Sequence, residues 1–187
     1  MKTGTVTRIL TAAALLAGTA LAAAKDGLPQ PPTDDVIAKQ VRHVVLTYPY
    51  YSLWDQVGLF VHDGQVELNG AVTQPIKKRD LGRLVSAIPG VIGVTNEIKV
   101  LPDTPMDVRL RGQVARAIFS APPLTRYGAG TLPAIHIIVD NGHVTLSGVV
   151  ANDGDKNLAG IRAQGAGLSF GAVVNNLEVE RPSVKNS

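Results

Sequence analysis

Apolar and polar positions alternate with a period of two in two stretches of the chain, and each stretch straddles a tight turn. Val57, Leu59 and Val61 lead into Asp63-Gly64, and Val66, Leu68, Gly70 and Val72 lead out of it. Ile135, Ile137 and Val139 lead into Asn141-Gly142, and Val144, Leu146, Gly148 and Val150 lead out, 78 positions further on. Such alternation places one set of side chains on one face of a strand. Asp-Gly and Asn-Gly suit a two-residue type I′ turn, in which both central residues take φ > 0. A loop of that length fixes the register: Val61 faces Val66, Leu59 faces Leu68, Val139 faces Val144 and Ile137 faces Leu146. The chain is thus one small module written twice.

The flanking segments switch to helical spacing. Ile37, Val41, Val44 and Val45 form one stripe, with Asp34 or Asp35 placed to cap it and Pro49 to end it. After the hairpin, Thr73 or Gln74 opens a second helix with Pro75 in its first turn and Ile76, Leu81, Leu84, Val85 and Ile88 on one side, up to Pro89-Gly90. A last strand runs from Val91 to Val100. Repeat two follows the same order, with Leu110, Val114 and Ile118 on its first helix and Val173, Asn175, Leu177 and Val179 on its last strand. Its segment Ser120 to Pro133 is longer than the counterpart in repeat one. Its second helix holds Gly154, Gly160 and Gly165, each costing about 1 kcal/mol relative to Ala, so that helix is expected to be the softest element. Asn96 and Asn175 stand on the apolar face of the last strands. A buried amide needs partners, so each either ties its strand to a neighbouring backbone segment or contacts a ligand.

The block Asp63-Gly64-Gln-Val-Glu-Leu-Asn-Gly70-Ala-Val72, with Gly90-Val91, Val94, Asn96 and Val100, returns as Asn141-Gly142-His-Val-Thr-Leu-Ser-Gly148-Val-Val150 with Val173, Asn175 and Val179. Over about residues 34–181 the chain resembles a tandem BON-domain protein of the bacterial envelope. The resemblance implies an α+β fold of two αββαβ modules, each a three-stranded mixed sheet with two helices on one face. It also implies exported proteins linked to envelope integrity, osmotic stress and phospholipid binding. The same domain occurs as an accessory in secretins, channels and ion-responsive proteins.

Composition narrows this further. Lys2 and Arg8 precede an apolar run from Ile9 through Ala22, with Ala22 and Ala24 at signal-peptidase spacing, so residues 1–24 read as a signal peptide cleaved near Ala24. The run is short for a membrane span of about 20 residues. The remaining organisation reads as a Pro-rich linker 25–33, module one 34–101, a linker 102–106, module two 107–181 and a tail 182–187. Cleavage removes two of the 18 basic residues and none of the 15 acidic ones, leaving a net charge of +1. That is no nucleic-acid footprint. The chain has no cysteine, so neither a disulfide nor an acylated cysteine of the kind some two-module relatives carry holds it in place.

No enzyme signature emerges. There is no cysteine nucleophile, no phosphate-cradling glycine loop, and none of His43, His62, His136 and His143 sits one helical turn from another ligand. His62-Asp63 and Asp140 with His143 sit at the hairpin tips, where turn polarity accounts for them, so no metal or cofactor is expected. The candidate binding surface is aromatic. Tyr48, Tyr50, Tyr51 and Trp54 fall within seven positions, and the matching loop of repeat two offers Leu124, Arg126 and Tyr127. Tyr and Trp suit a water-lipid boundary and arginine suits phosphate, so both loops can dip into a bilayer surface. The same rings equally serve as covers for the two cores or as the seam between modules. Lys77, Lys78 and Arg79 at the start of a helix add a basic spot for lipid headgroups or a solvated face. Phe60 and Ile138 sit at equivalent outward positions and suggest a module-to-module or partner contact.

The sequence therefore predicts a non-catalytic periplasmic protein bound peripherally to anionic phospholipid, supporting the envelope under stress. A module that docks on an envelope protein without lipid affinity is the alternative.

Overall fold

Each repeat folds around its own hairpin. The computed structural model describes residues 31–130, 133–166 and 173–180. The signal peptide, its cleavage near Ala24, most of the 25–33 linker and the 182–187 tail lie outside the described residues.

Module one comprises α1 (Asp34–Leu46), β1 (Gln56–His62), β2 (Gln65–Val72), α2 (Pro75–Ser86), β3 (Gly93–Asn96) and β4 (Lys99–Val100). Module two comprises α3 (Pro105–Phe119), a short 3-10 turn (Thr125–Tyr127), β5 (Ile135–Asp140), β6 (His143–Val150), α4 (Asp153–Gln164) and β7 (Val174–Val179). The turn residues have φ of 47° and 73° at Asp63 and Gly64, and 51° and 80° at Asn141 and Gly142, as a type I′ turn requires. The four apolar cross-strand pairs stand in the register read from the sequence. β2 then pairs in parallel with β3 and β4, and β6 with β7, which makes each sheet mixed.

The alternating residues Val66, Leu68 and Val72 meet Ile37, Val41, Leu81 and Val85 in one core; Ile135, Ile137, Val139, Val144 and Leu146 meet Leu110, Val114 and Ile118 in the other. The helices of each module cover the face from which these side chains project. Among the described residues no helix is long and apolar enough to cross a membrane.

Three local expectations are corrected. Neither Asp34 nor Asp35 caps α1; the cap residue is Thr33, without a side-chain bond. Asp34 instead accepts hydrogen bonds from the turn amides of Asp63 at 2.8 Å and Gly64 at 2.9 Å. Asp107 does the same for Asn141 and Gly142, at 3.3 and 2.8 Å, while Thr104 caps α3. A two-residue turn leaves its central N–H groups unpaired, and one carboxylate satisfies both. Helix α1 stops at Leu46 because Tyr48 precedes Pro49 and is sterically pushed out of helical backbone. The last strand of module one, expected to be continuous over Val91 to Val100, breaks at Glu97 and Ile98, where Ile98 dives into the core.

The two asparagines are structural ties. Asn96 Nδ2 donates to the Lys78 carbonyl and Asn175 Nδ2 to the Lys156 carbonyl, both at 2.8 Å, while each Oδ1 accepts the amide two residues on, from Ile98 and Leu177. A Cβ on Gly82 or Gly160 would lie 2.7 or 2.8 Å from these amide nitrogens. Gly160 thus makes room for Asn175, and Gly165 already lies past the helix end.

The turn amides hold the Asp34 carboxyl below its ordinary pKa, Gly64 contributing most and Asp63 next. A carboxylate so favoured stabilises the fold above its ordinary pKa and loses that contribution as pH falls through the lowered value. Asp34→Ala is therefore expected to speed amide exchange at Asp63 and Gly64 at neutral pH. Expressed as protection factors, which remove the intrinsic slowing of exchange in acid, the native protein below the ordinary carboxylate range should approach the protection of the variant. Unchanged exchange in the variant would refute the contact.

Candidate functional site

The residues singled out by the sequence divide among the joint of the two modules, the buried interiors and the helical face of module one. After α1 the chain makes a strap, Tyr51 to Asp55, that runs to the exposed edge of β5. The Leu53 carbonyl accepts a hydrogen bond from the Ile137 amide at 2.8 Å, and Leu53 and Trp54 pack half-buried against the core of module two. Tyr51 lies with its ring 5.5 Å from that of His136. Burial pushes its phenol up to about 12. Gln56 Oε1 accepts from Ser147 Oγ at 3.1 Å, and Lys99 pairs with Asp140 across the same joint. Tyr51 and Trp54 thus stand half-buried at the seam between modules.

The strap is rooted by Asp55, which has no solvent exposure. Its carboxylate accepts from Ser52 N (2.9 Å), Ser52 Oγ (2.7 Å), Thr73 N (2.8 Å), Thr73 Oγ1 (3.1 Å) and Lys77 Nζ (2.6 Å). Lys77 is therefore a buried ion-pair partner and not a headgroup ligand. Module two builds the same knot with the charges exchanged. Asp155, 78 positions after Lys77, accepts from Tyr127 Oη at 2.6 Å and pairs with Arg126, while Tyr127 Oη accepts the Ala151 amide, the counterpart of Thr73 N. Tyr127 and Leu124 are buried in the core of module two, and Arg126 lies 4.8 Å over the Tyr127 ring with its guanidinium reaching solvent. Of the three residues singled out in the second loop, only Arg126 reaches solvent. Hydrogen bonds from Tyr127 first, then the Arg126 contacts, hold Asp155 below its ordinary pKa against the opposing effect of burial.

Tyr48, Tyr50 and Arg79 do come together. The buried Tyr48 donates its hydroxyl to Asp80 Oδ2 at 3.1 Å, and Tyr50 stands edge-on to it at 5.7 Å with 65% of its surface exposed. Burial raises the Tyr48 pKa, with Asp80 adding to the effect. Arg79 and Arg83 flank the same Asp80 at 3.8 and 3.9 Å, with 73% and 72% of their side chains in solvent. Lys78 is half-buried and its carbonyl is held by Asn96. Beside this group a shallow groove of about 490 Å³ opens between α1 and α2. It is floored by Val44, Leu84 and Ile88, with Lys39 and His43 along one wall. The exposed helical face of module one therefore joins a free tyrosine ring, an apolar trough and four basic side chains.

Arg83, Lys39 and His43 were not singled out in the sequence, because their grouping depends on how α1 and α2 lie side by side. Asp55 was missed for the same reason, although the Lys77/Asp155 charge reversal at matched positions was a readable signal. Ile138 does face the joint, lining a groove of about 520 Å³ with Gln56 and Ala71, whereas Phe60 remains exposed. At the first hairpin tip Asp34, His62 and Asp63 place ligand atoms within 4.8 Å of one another, but both Asp34 oxygens are engaged by turn amides.

A family model described as the BON domain matches residues 33–102 and again 107–181. No curated protein matches the chain. Among solved structures the chain is similar to CdsD, a structural protein of the type III secretion system of Chlamydia trachomatis, at 16% identity over 76% of this chain and 60% of that one, with a TM-score of 0.29. The C-terminal domain of CdsD aligns at 14% identity over 76% of this chain and 96% of that domain, with a TM-score of 0.30. The chain thus spans less than two thirds of the longer of these two structures.

Proposed function

The chain belongs to the BON-domain family, whose module it carries twice, and we propose that it acts in the periplasm as a non-catalytic binding protein that associates with anionic phospholipid surfaces and supports the envelope under osmotic or envelope stress. The observation that carries this reading is the face of module one where Tyr50 stands exposed beside Arg79 and Arg83. A tyrosine ring at the headgroup level keeps its hydroxyl hydrated while its carbons sink. Each Lys or Arg near an anionic leaflet contributes about 1 kcal/mol, so Lys39, Arg79 and Arg83, less the Asp80 carboxylate that the two arginines flank, supply roughly 2 kcal/mol. That sum describes a weak, reversible and salt-sensitive contact. It runs through module one, since the corresponding loop of module two is spent on its own core.

Vesicle co-sedimentation tests the proposal. The full exported chain is expected to pellet with vesicles containing phosphatidylglycerol at low salt, to stay in solution with pure phosphatidylcholine, and to release as salt rises. The double variant R79E/R83E should lose at least about tenfold in partitioning, two reversed charges exceeding the 1.4 kcal/mol that a factor of ten requires. Equal pelleting of that variant would remove this surface, and no pelleting of the native chain would remove lipid binding and leave docking on an envelope protein.

A further inference from the structure

We infer that His136 makes the joint between the two modules sensitive to acid, so that protonating its imidazole frees the Tyr51–Trp54 strap from β5 and exposes Trp54. This holds whether or not the protein binds lipid, because it rests on the joint alone.

His136 points outward from β5, opposite Ser147 on β6, into the contact with module one. Only 8% of its surface reaches solvent, and its Nδ1 has no hydrogen-bond partner. The strap covers it: the Tyr51 ring lies against it at a 53° tilt, and the Leu53–Ile137 bond closes over the next residue. A charged imidazole at this position would need a counter-charge, and the groups that face it do not provide a free one. From the strap come the Tyr51 phenol, neutral because burial pushes it up to about 12, and the Asp55 carboxylate. Asp55 is already neutralised by the Lys77 ammonium of α2 and saturated by Ser52 and Thr73. From β1 and β6 come Gln56 and Ser147, both uncharged, and on β5 itself Asp140 is engaged by Lys99 of β4.

Burial accordingly pulls the His136 pKa below its ordinary value, a larger effect than the opposing pull of the Ser52 and Asp55 carbonyls and of the Asp55 charge. The sign of the linkage follows. The closed joint binds the proton less well than an open one, so its stability is complete above the ordinary histidine pKa and declines as pH falls below it. One proton makes the open form at most about tenfold more favourable per pH unit. The strap is the element that yields, since the Leu53–Ile137 bond, the Tyr51–His136 contact and the half-buried Leu53 and Trp54 side chains hold it to module two, whereas each module keeps its own core.

Trp54 is the only tryptophan of the chain, so its emission reports the joint directly. Titrating the full exported chain from about pH 7.5 to about pH 5 should shift the emission to longer wavelength and raise acrylamide quenching at least about twofold, with far-UV circular dichroism unchanged. In H136F, where an apolar ring fills the site, Trp54 should stay shielded over the whole range. H143Q, which alters an exposed histidine, should keep the transition. Should H136F fail to fold, the imidazole resonances of the native chain decide the matter. Titration of His136 at or above its ordinary value, constant Trp54 emission in the native chain, or an unchanged transition in H136F would each overturn the inference.

Discussion

Asp55→Ala is expected to lower stability by about 3–5 kcal/mol, the largest effect of any single substitution in module one. The change removes one partner of a buried pair and leaves the Lys77 ammonium, with only 6% of its side chain in solvent, without a counter-charge. It also strips acceptors from two backbone amides and two hydroxyls. A domain of this size has roughly 5–15 kcal/mol in total, so the melting temperature should fall on the order of 10 °C or more. D55L/K77M, which removes both charges and refills the volume, should recover much of the loss, because an apolar pair avoids the desolvation that the ion pair must offset. Thermal and urea unfolding followed by circular dichroism measure both. A loss in D55A below about 1 kcal/mol, within the range of an exposed pair, would contradict the burial described here.

The second large effect lies at Gly70 and Gly148, the same position of the two modules. Gly70 has φ of 101° and Gly148 of 120°, and a Cβ at either would come within 2.1 and 2.0 Å of the Gln56 and Ala134 carbonyl oxygens of the facing strand. Neither carbonyl is the mobile end of a side chain, so the strand must move or the turn must slip. Backbone strain of about 1–3 kcal/mol adds to the displaced ladder, and G70A or G148A should each cost about 3 kcal/mol or more. Gly112 is the control. It lies inside α3 with nothing within 4 Å of the added carbon, so G112A should stabilise the protein by about 0.5–1 kcal/mol. Shifts of urea midpoint in opposite directions are the expected result. Similar small shifts at all three glycines would show that the close strand approach is wrong.

The hairpins and their facing pairs were legible because a two-residue turn and a period of two leave one register. The asparagine ties were legible too, since an amide on an apolar face has to be paired. The helix caps were less so: Asp34 has the right chemistry for a cap, yet the two turn amides that claim it are 29 and 30 residues away. For the candidate site the sequence supplied residue types without their orientation. The rings of Tyr48, Tyr50, Tyr51 and Trp54 read alike, and burial separates them: one in the core, one in solvent, two in the joint. Likewise Lys77, Lys78 and Arg79 look like one patch, but successive positions on a helix point about 100° apart, and of the three only Arg79 is exposed.

The exchanged charges of the two polar knots bear on how a duplicated chain avoids folding wrongly. Repeats of one architecture invite cross-pairing, in which an element of one copy lodges on the scaffold of the other. Were α4 to settle on the first scaffold, Asp155 would meet Asp55; were α2 to settle on the second, Lys77 would meet Arg126. The first mistake buries two carboxylates together, the second sets two cations side by side, and each discards a matched pair, so the two halves share one architecture without being interchangeable parts.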